Sequence, residues 1–337
     1  MTFALYIAMN SKQRLMRQIE DRYISLLTDF GFKRIFGTAP NKELLICFLN
    51  SLFDGKQVIK EVKYLNNEQL GDVYVARKAI FDVYCEGENG EKFIVEMQNA
   101  YQEFFKDRSL FYSTFPIREQ AVKGSDWDFQ LNHVYTVALL NFDMKDEAFD
   151  ADAICHYVKL CDTTTHRVFY EKLEFIYVEI AKFDKSEDEL VTLYDKWLYV
   201  LKNLSALTNR PKALRDKVFD RLFEEAEIAR FTPRELREYE DSCKAYRDLK
   251  NSLDTALRQG HAKGLEEGHA QGLEEGLAKG LAKGLEEGLA QGRAEGLAQG
   301  EEKASLSIAR KMKSQHIAVS VIASCTGLTP EEIENIK

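Results

Sequence analysis

The sequence predicts a layered fold of strands and helices, α/β or α+β, followed by a helical tail. Three observations carry that expectation. Residues from about 20 to 185 mix period-two apolar segments with helical ones, and residues from about 186 to 250 read as charged helices. From Gly260 to Gly300, glycine falls at every fourth position without a miss. The expected layout is a core over 1–185, a helical extension packed on it over 186–250, a glycine repeat over 251–303 and a small helical unit over 304–337.

The elements follow in order. "TDFGFKRIFG" reads as a short helix closed by Gly37, and "NKELLICFLNSLF" as an amphipathic helix capped by Asn41, with Leu44, Leu45, Phe48 and Leu49 on its apolar side. "KQVIKEVKYL" and "GDVYVARKAIFDVYCEG" are strand material. Alternation sets Phe81, Val83 and Cys85 on one face and Ile80, Asp82 and Tyr84 on the other. "GENG" is a turn, and the returning strand places Phe93, Val95 and Met97 opposite Ile94, Glu96 and Gln98. "FKDRSLFYSTFPIREQAVK" starts as a helix that Pro116 kinks or ends. Strands are expected again at "HVYTVALLNF" and "EKLEFIYVEIAKF", with "THRVFYE" a further candidate in the mixed stretch between them. "ELVTLYDKWLYVLKNL" and "LRDKVFDRLFEEAEIARF" are helical, and Thr232 followed by Pro233 starts another helix.

The glycine ladder sets two tendencies against each other. Its Leu, Ala, Glu and Lys favour helix, whereas each interior glycine costs about 1 kcal/mol relative to alanine. A four-residue step advances about 40° around a helix, so neither glycines nor leucines form a heptad seam. A helix ordered by self-association, a spacer and glycine-mediated packing against another chain all fit. Past it, Thr329, Pro330 and Glu332 form a strong helix start, and two short helices around "CTGLT" fit a small docking unit or a minimal helix–turn–helix.

Composition narrows the function. A net charge of -9 argues against binding nucleic acid through bulk charge, and 45% hydrophobic residues suffice for a sizeable core. The cysteines form no CxxC pair and read as buried free thiols, which suits a reducing, cytoplasmic setting. No signal peptide and no membrane-spanning run is expected. The histidines do not cluster, and neither a zinc site nor a Ser-His-Asp series is apparent.

The chemistry concentrates in "IFDVYCEGENGEKFIVEMQNA", Ile80 to Ala100. A hairpin here lets Asp82 face Glu96. Close carboxylates repel unless a proton or cation intervenes, and hard oxygen ligands suit Mg2+ best, with Mn2+ a substitute. The residues alone leave two readings open: a solvated acidic face or a metal site.

Asp82, a 13-residue gap, then Glu96-x-Gln98 resembles the PD-(D/E)XK nuclease superfamily. "TDFGFKRIFG", "NKELLICFLNSLF", "ARKAIFDVYCEGENGEKFIVEMQNA" and "FFKDRSLFYSTFPIREQ" resemble, in order, its recombination-promoting nuclease and transposase branch. The resemblance continues through "HVYTVALLNF", "YDKWLYVLKNL" and "EYEDSCKAYRD" into the ladder. It implies a restriction-endonuclease-like mixed β-sheet core flanked by helices, and metal-dependent cleavage of DNA. Asp82 and Glu96 match the motif's acids. Gln98 stands where lysine is usual, and Phe81 where proline is. Glutamine orients water but supplies no charge, which shifts electrostatic work to the metal or a basic neighbour. Asp29 is the first choice for the upstream metal ligand and Glu43 the second; Asp29 also suits a helix cap or an ion pair with Lys33. The resemblance favours Arg108 as a clamp on phosphate or a carboxylate, and Tyr112 as a partner of phosphate or Gln98. Gln120 is a weaker candidate. Lys33, Arg34, Lys42, Lys106 and Arg108 are expected on a basic rim. The alternatives are a catalytically weak relative that binds nucleic acid or protein, and a homo-oligomer formed through the repeat.

Overall fold

A computed structural model of the chain describes residues 21–53, 55–69, 79–121 and 128–336. The apolar opening of the sequence and most of the expected strand before Ala79 lie outside them. The chain divides into two compact units, Met1–Asp254 and Thr255–Lys337.

The first unit is built on a six-stranded mixed sheet. Its strands are β1 (Val62–Tyr64), β4 (Val83–Gly87), β5 (Lys92–Gln98), β6 (Val134–Leu140), β7 (Cys155–Cys161) and β8 (Val168–Glu179), while β2 (Glu68–Gln69) and β3 (Ala79–Ile80) pair separately. The spatial order is β1-β4-β5-β6-β8-β7. The β5/β6 and β6/β8 pairs are parallel, and the outer pairs are antiparallel. Central β6, "VYTVALL", is buried along its whole length, as a strand covered on both faces must be.

Helices α1 (Asp29–Phe36), α2 (Lys42–Phe53), α4 (Leu193–Asn203) and α5 (Lys217–Ala226) contribute to the larger core with Val83, Cys85, Phe93, Val95, Val137 and Val178. Trp197 lies at the centre of an aromatic group with Phe36, Phe48 and Phe219, at ring separations of 5.6, 5.7 and 5.1 Å. Helix α3 (Phe105–Glu119) joins β5 to β6. Its Phe105 belongs to a cluster with Val134, Ala138 and Leu140, and its Phe115 to one with Phe81, Tyr84 and Ile94.

Several local expectations change. Phe81 joins Tyr84 rather than Val83 and Cys85, because the strand bends at Asp82 and restarts at Val83. Pro116 neither ends helix α3 nor marks a boundary, since the helix runs on to Glu119. Asn41 is buried, with its side chain donating to the Arg34 carbonyl (3.0 Å) and accepting from Arg221. The "THRVFYE" stretch opens β8, and its antiparallel partner β7 is a half-exposed edge whose apolar residues do not alternate with polar ones. The cysteines are free, but only Cys85 is fully buried, and Cys161 and Cys325 are exposed.

Helix α6 runs from Pro233 to Ser314, and Thr232 starts it by accepting the Glu235 amide while the Glu235 carboxylate accepts the Thr232 amide. The ladder is helical throughout, and a Cβ added at any glycine from Gly260 to Gly300 would meet nothing within 4 Å. In the second unit Ala309 packs with Ile322 of α7 (Val319–Thr326) and Ile333 of α8 (Pro330–Asn335). Lys313 Nζ donates to the carbonyls of Ile333, Glu334 and Ile336 at 2.9, 2.8 and 2.9 Å, closing the end of α8. No helix of the described residues is long and apolar enough to cross a membrane.

Two glycines test these points from opposite directions. A Cβ at Gly31 would stand 2.1 Å from the Ser25 carbonyl oxygen, a backbone atom with no rotamer to yield. Gly31→Ala is expected to destabilise the first unit by about 1–3 kcal/mol, read from urea denaturation. Gly276→Ala meets open space and is expected to stabilise the ladder helix by about 1 kcal/mol, read as a gain in helical circular dichroism on heating.

Candidate active site

The β4/β5 ladder pairs Val83 with Val95 and stops there. One step further, side chains take over from the backbone. The Asp82 amide donates to Glu96 Oε1 (3.1 Å), and the Met97 amide donates to Asp82 Oδ2 (2.9 Å). Asn67 brackets the bend: its side chain donates to the Asp82 carbonyl (3.0 Å), and its own carbonyl accepts from the Phe81 amide (2.9 Å). Asp82 and Glu96 are thus held together, with Glu96 and Gln98 buried toward the carboxyl end of β5. The carboxyl ends of parallel strands are where open α/β sheets take ligands.

Two cations reach this pair. Arg108, from helix α3, donates Nη2 to Glu96 Oε2 (3.1 Å) and Nη1 to Gln98 Oε1 (3.3 Å). Its guanidinium lies over the Tyr112 ring at 5.0 Å, and that ring meets Phe81 edge-on at 5.2 Å. Lys33, from helix α1, places Nζ 3.8 Å from Asp82 Oδ1 and 2.6 Å from Asp29 Oδ1. Burial pulls the Lys33 pKa down, but the Asp29 hydrogen bond and the charges of Asp29, Asp82 and Glu96 outweigh it and raise the pKa, so the ammonium stays charged.

The expected residues separate accordingly. Asp82, Glu96, Gln98, Arg108 and Tyr112 converge. Gln98 has both ends of its amide engaged, since Nε2 donates to the Ala100 carbonyl (2.9 Å). Asp29 lines the same cleft of about 750 Å³ as Asp82 and Lys33, but it is 65% exposed and ion-paired to Lys33. The cap of α1 is Thr28, whose hydroxyl accepts the Gly31 amide (3.1 Å). Glu43 is exposed in the first turn of α2. Gln120 accepts the Asn132 amide (2.6 Å) and donates to the Pro116 carbonyl (3.1 Å). Of the rim cations, Arg34 pairs with Glu235, Lys42 with Glu61 and Lys106 with Asp146, leaving Lys33 and Arg108 at the carboxylates.

Sequence reasoning missed Asn99, which donates to the Leu27 carbonyl (2.7 Å) and so ties the end of β5 to the segment leading into α1. Its position immediately after Gln98 was the available signal. It also placed Lys33 on a rim rather than beside Asp82.

Among the described residues no group of three or more His, Cys, Asp or Glu side chains is arranged to hold a metal ion. The donor chemistry of the adjacent pair nevertheless fits a hard divalent cation: two mostly buried carboxylates, accepting from the Asp82 and Met97 amides, lie close enough to repel as charges. Glu96 is pushed up to about 8, by burial first and then by the Asp82 charge, against the pull of Arg108. Asp82 is also raised, by burial first, with the Asp29 charge adding to it and the Met97 amide and Lys33 opposing.

These shifts have a measurable sign. With its folded value above the unfolded 4.5, Glu96 keeps its proton in the folded chain while the unfolded chain has lost it, so stability falls as pH rises from 4.5 toward 8. Asp82 acts in the same direction. Glu96→Gln is expected to flatten that fall and to gain stability relative to wild type at alkaline pH, read from urea midpoints in EDTA at pH 5 and pH 9. An equal pH dependence in both chains would contradict the raised Glu96 carboxyl.

No curated protein and no solved structure gives a significant match to the chain. The family model for PD-(D/E)XK nuclease family transposase matches residues 26–256, which holds the sheet, both acids, Gln98, Lys33 and Arg108. With that span covering more than half of the chain, and with a mixed sheet carrying the motif acids where the ladder ends, the protein belongs to the PD-(D/E)XK nuclease family transposases and has a nuclease-like or transposase function.

Proposed function

We propose that the chain is a metal-dependent DNA endonuclease of the cytoplasm that hydrolyses phosphodiester bonds. The observation that carries this reading is the pair of crossed hydrogen bonds at the ladder's end, from the Asp82 amide to Glu96 and from the Met97 amide to Asp82, with Lys33 and Arg108 drawn to the two carboxylates from two different helices. Asp82 and Glu96 would hold Mg2+, or Mn2+ in its place, with Asp29 as the nearby third acid. When bound, such an ion polarises a phosphoryl oxygen and lowers the pKa of an attacking water.

The chain's own residues do the remaining work. Lys33 brings the positive charge that Gln98 lacks, from α1 instead of β5. Arg108 orients Glu96 and reaches a non-bridging phosphate oxygen on the same side. Gln98 acts through Arg108, which its carbonyl oxygen receives. The cleft is lined by Asp29, Asp82, Glu235, Glu238 and Asp241 against Lys33 and Arg34, so a polyanion entering it needs cations for charge balance as well as for chemistry.

Purified chain incubated with duplex and single-stranded DNA is expected to cut in Mg2+ or Mn2+ and to stop in EDTA. Asp82→Ala and Glu96→Ala should abolish cutting, and Lys33→Gln should lower the rate by roughly 100- to 1,000-fold, the scale set by loss of one group that stabilises transition-state charge. Cleavage that survives Asp82→Ala, or none under any metal, would sink the proposal.

A further inference from the structure

Beside the carboxylates, on the far side of Arg108, lies a second groove of about 660 Å³ lined by Gln102, Glu103, Phe104, Asp107, Arg108, Phe111 and Tyr112. Its aromatic wall is open to solvent: Phe104 is 68% exposed and Phe111 43%. Two rings of the groove are fixed by their neighbours. Phe111 meets Phe115 edge-on at 5.2 Å, and Tyr112 is set against Phe81, the residue next to Asp82. Arg108 links this groove to the carboxylates, donating to Glu96 while lying over Tyr112.

The chemistry of this groove differs from that of the acidic cleft. Glu103 and Asp107 disfavour a phosphate inside it, whereas the flat rings suit an uncharged, planar group. Gln102 accepts from Arg108 Nη1 (3.0 Å), leaving amide and guanidinium polar atoms at the rim. A nucleotide joins these two requirements, since its phosphate is anionic and its base is flat and neutral.

We propose that this groove receives an unstacked nucleobase of the substrate strand, next to the phosphate presented to Asp82 and Glu96. Bases stack on exposed aromatic side chains without strong sequence preference, so the groove selects DNA with unpaired bases over intact duplex. The proposal rests on the nuclease reading for its substrate, but its test is a binding test.

The full-length Asp82→Asn chain, which should bind without cutting, is titrated in Mg2+ into a fluorescein-labelled single-stranded deoxyoligonucleotide and into its abasic counterpart, followed by anisotropy. The intact strand is expected to bind roughly tenfold or more tightly than the abasic strand, in line with stacking of one base. Adding Phe104→Ala should remove that difference, and Phe104→Trp should keep it. Phe111→Ala provides a second, independent loss. Equal binding of intact and abasic strands, or a base effect untouched by both alanines, overturns the proposal. So does a Phe104→Ala chain with a lower mass in solution and unchanged oligonucleotide affinity, because the groove then seats a second copy of the chain. Wild-type chain is assayed for cutting in parallel: no cutting with base-dependent binding defeats the nuclease reading and leaves the groove standing, and the opposite pattern does the reverse.

Discussion

The site depends on an exchange of hydrogen bonds where a β-ladder ends. Beyond Val83 and Val95 two carboxylates accept from backbone amides that lie beyond the paired residues. Unpaired amides buried there would be costly, and the acids satisfy them. The same bonds bring two negative charges together in a poorly hydrated place. What surrounds the pair follows from that conflict: partial proton retention, an arginine from one helix, a lysine from another and a donor set suited to a cation.

The fold delivers these partners through separate routes. Helix α3 lies between two strands that pair in parallel, and it carries Arg108 to the carboxyl end of β5. Helix α1 is held by the Thr28 cap, by the tight fit of Gly31 against Ser25 and by the Asn99 bond to Leu27, and it carries Lys33 to Asp82. Phe81 extends the same framework, since its bend aligns Asp82 and its ring supports Tyr112 under Arg108. A residue that reads as an ordinary strand position therefore adjoins Asp82 in the chain and touches Tyr112 of the aromatic groove.

Much of the core was legible because burial leaves periodic marks. The alternation in "KFIVEMQ" placed Glu96 with Gln98, and the apolar run in "VYTVALL" marked a strand. Caps with side-chain chemistry were equally clear at Thr232 and Thr329. Edge and bend features were not. Strand β7 exposes much of both faces, so its pattern is weak, and the bend at Asp82 reverses the face of Phe81 without any glycine or proline to announce it. Asn41 looked like a cap from its position, but its side chain is committed to Arg34 and Arg221, the latter far along the sequence.

By itself the sequence determined which polar residues the hairpin and the following helix could gather: two acids at a hairpin spacing, Gln98 two residues beyond the second, and an i,i+4 Arg108–Tyr112 pair. It determined the ladder as well, because its helix formers and glycines recur without interruption. Only the tertiary structure decided which cation stands at which acid. Lys33 and Arg108 lie 49 and 26 positions from Asp82 along the chain, and charge acts through space. Local periodicity records which face of an element is buried, whereas the meeting of two helices at the end of a strand is set by packing across the whole core.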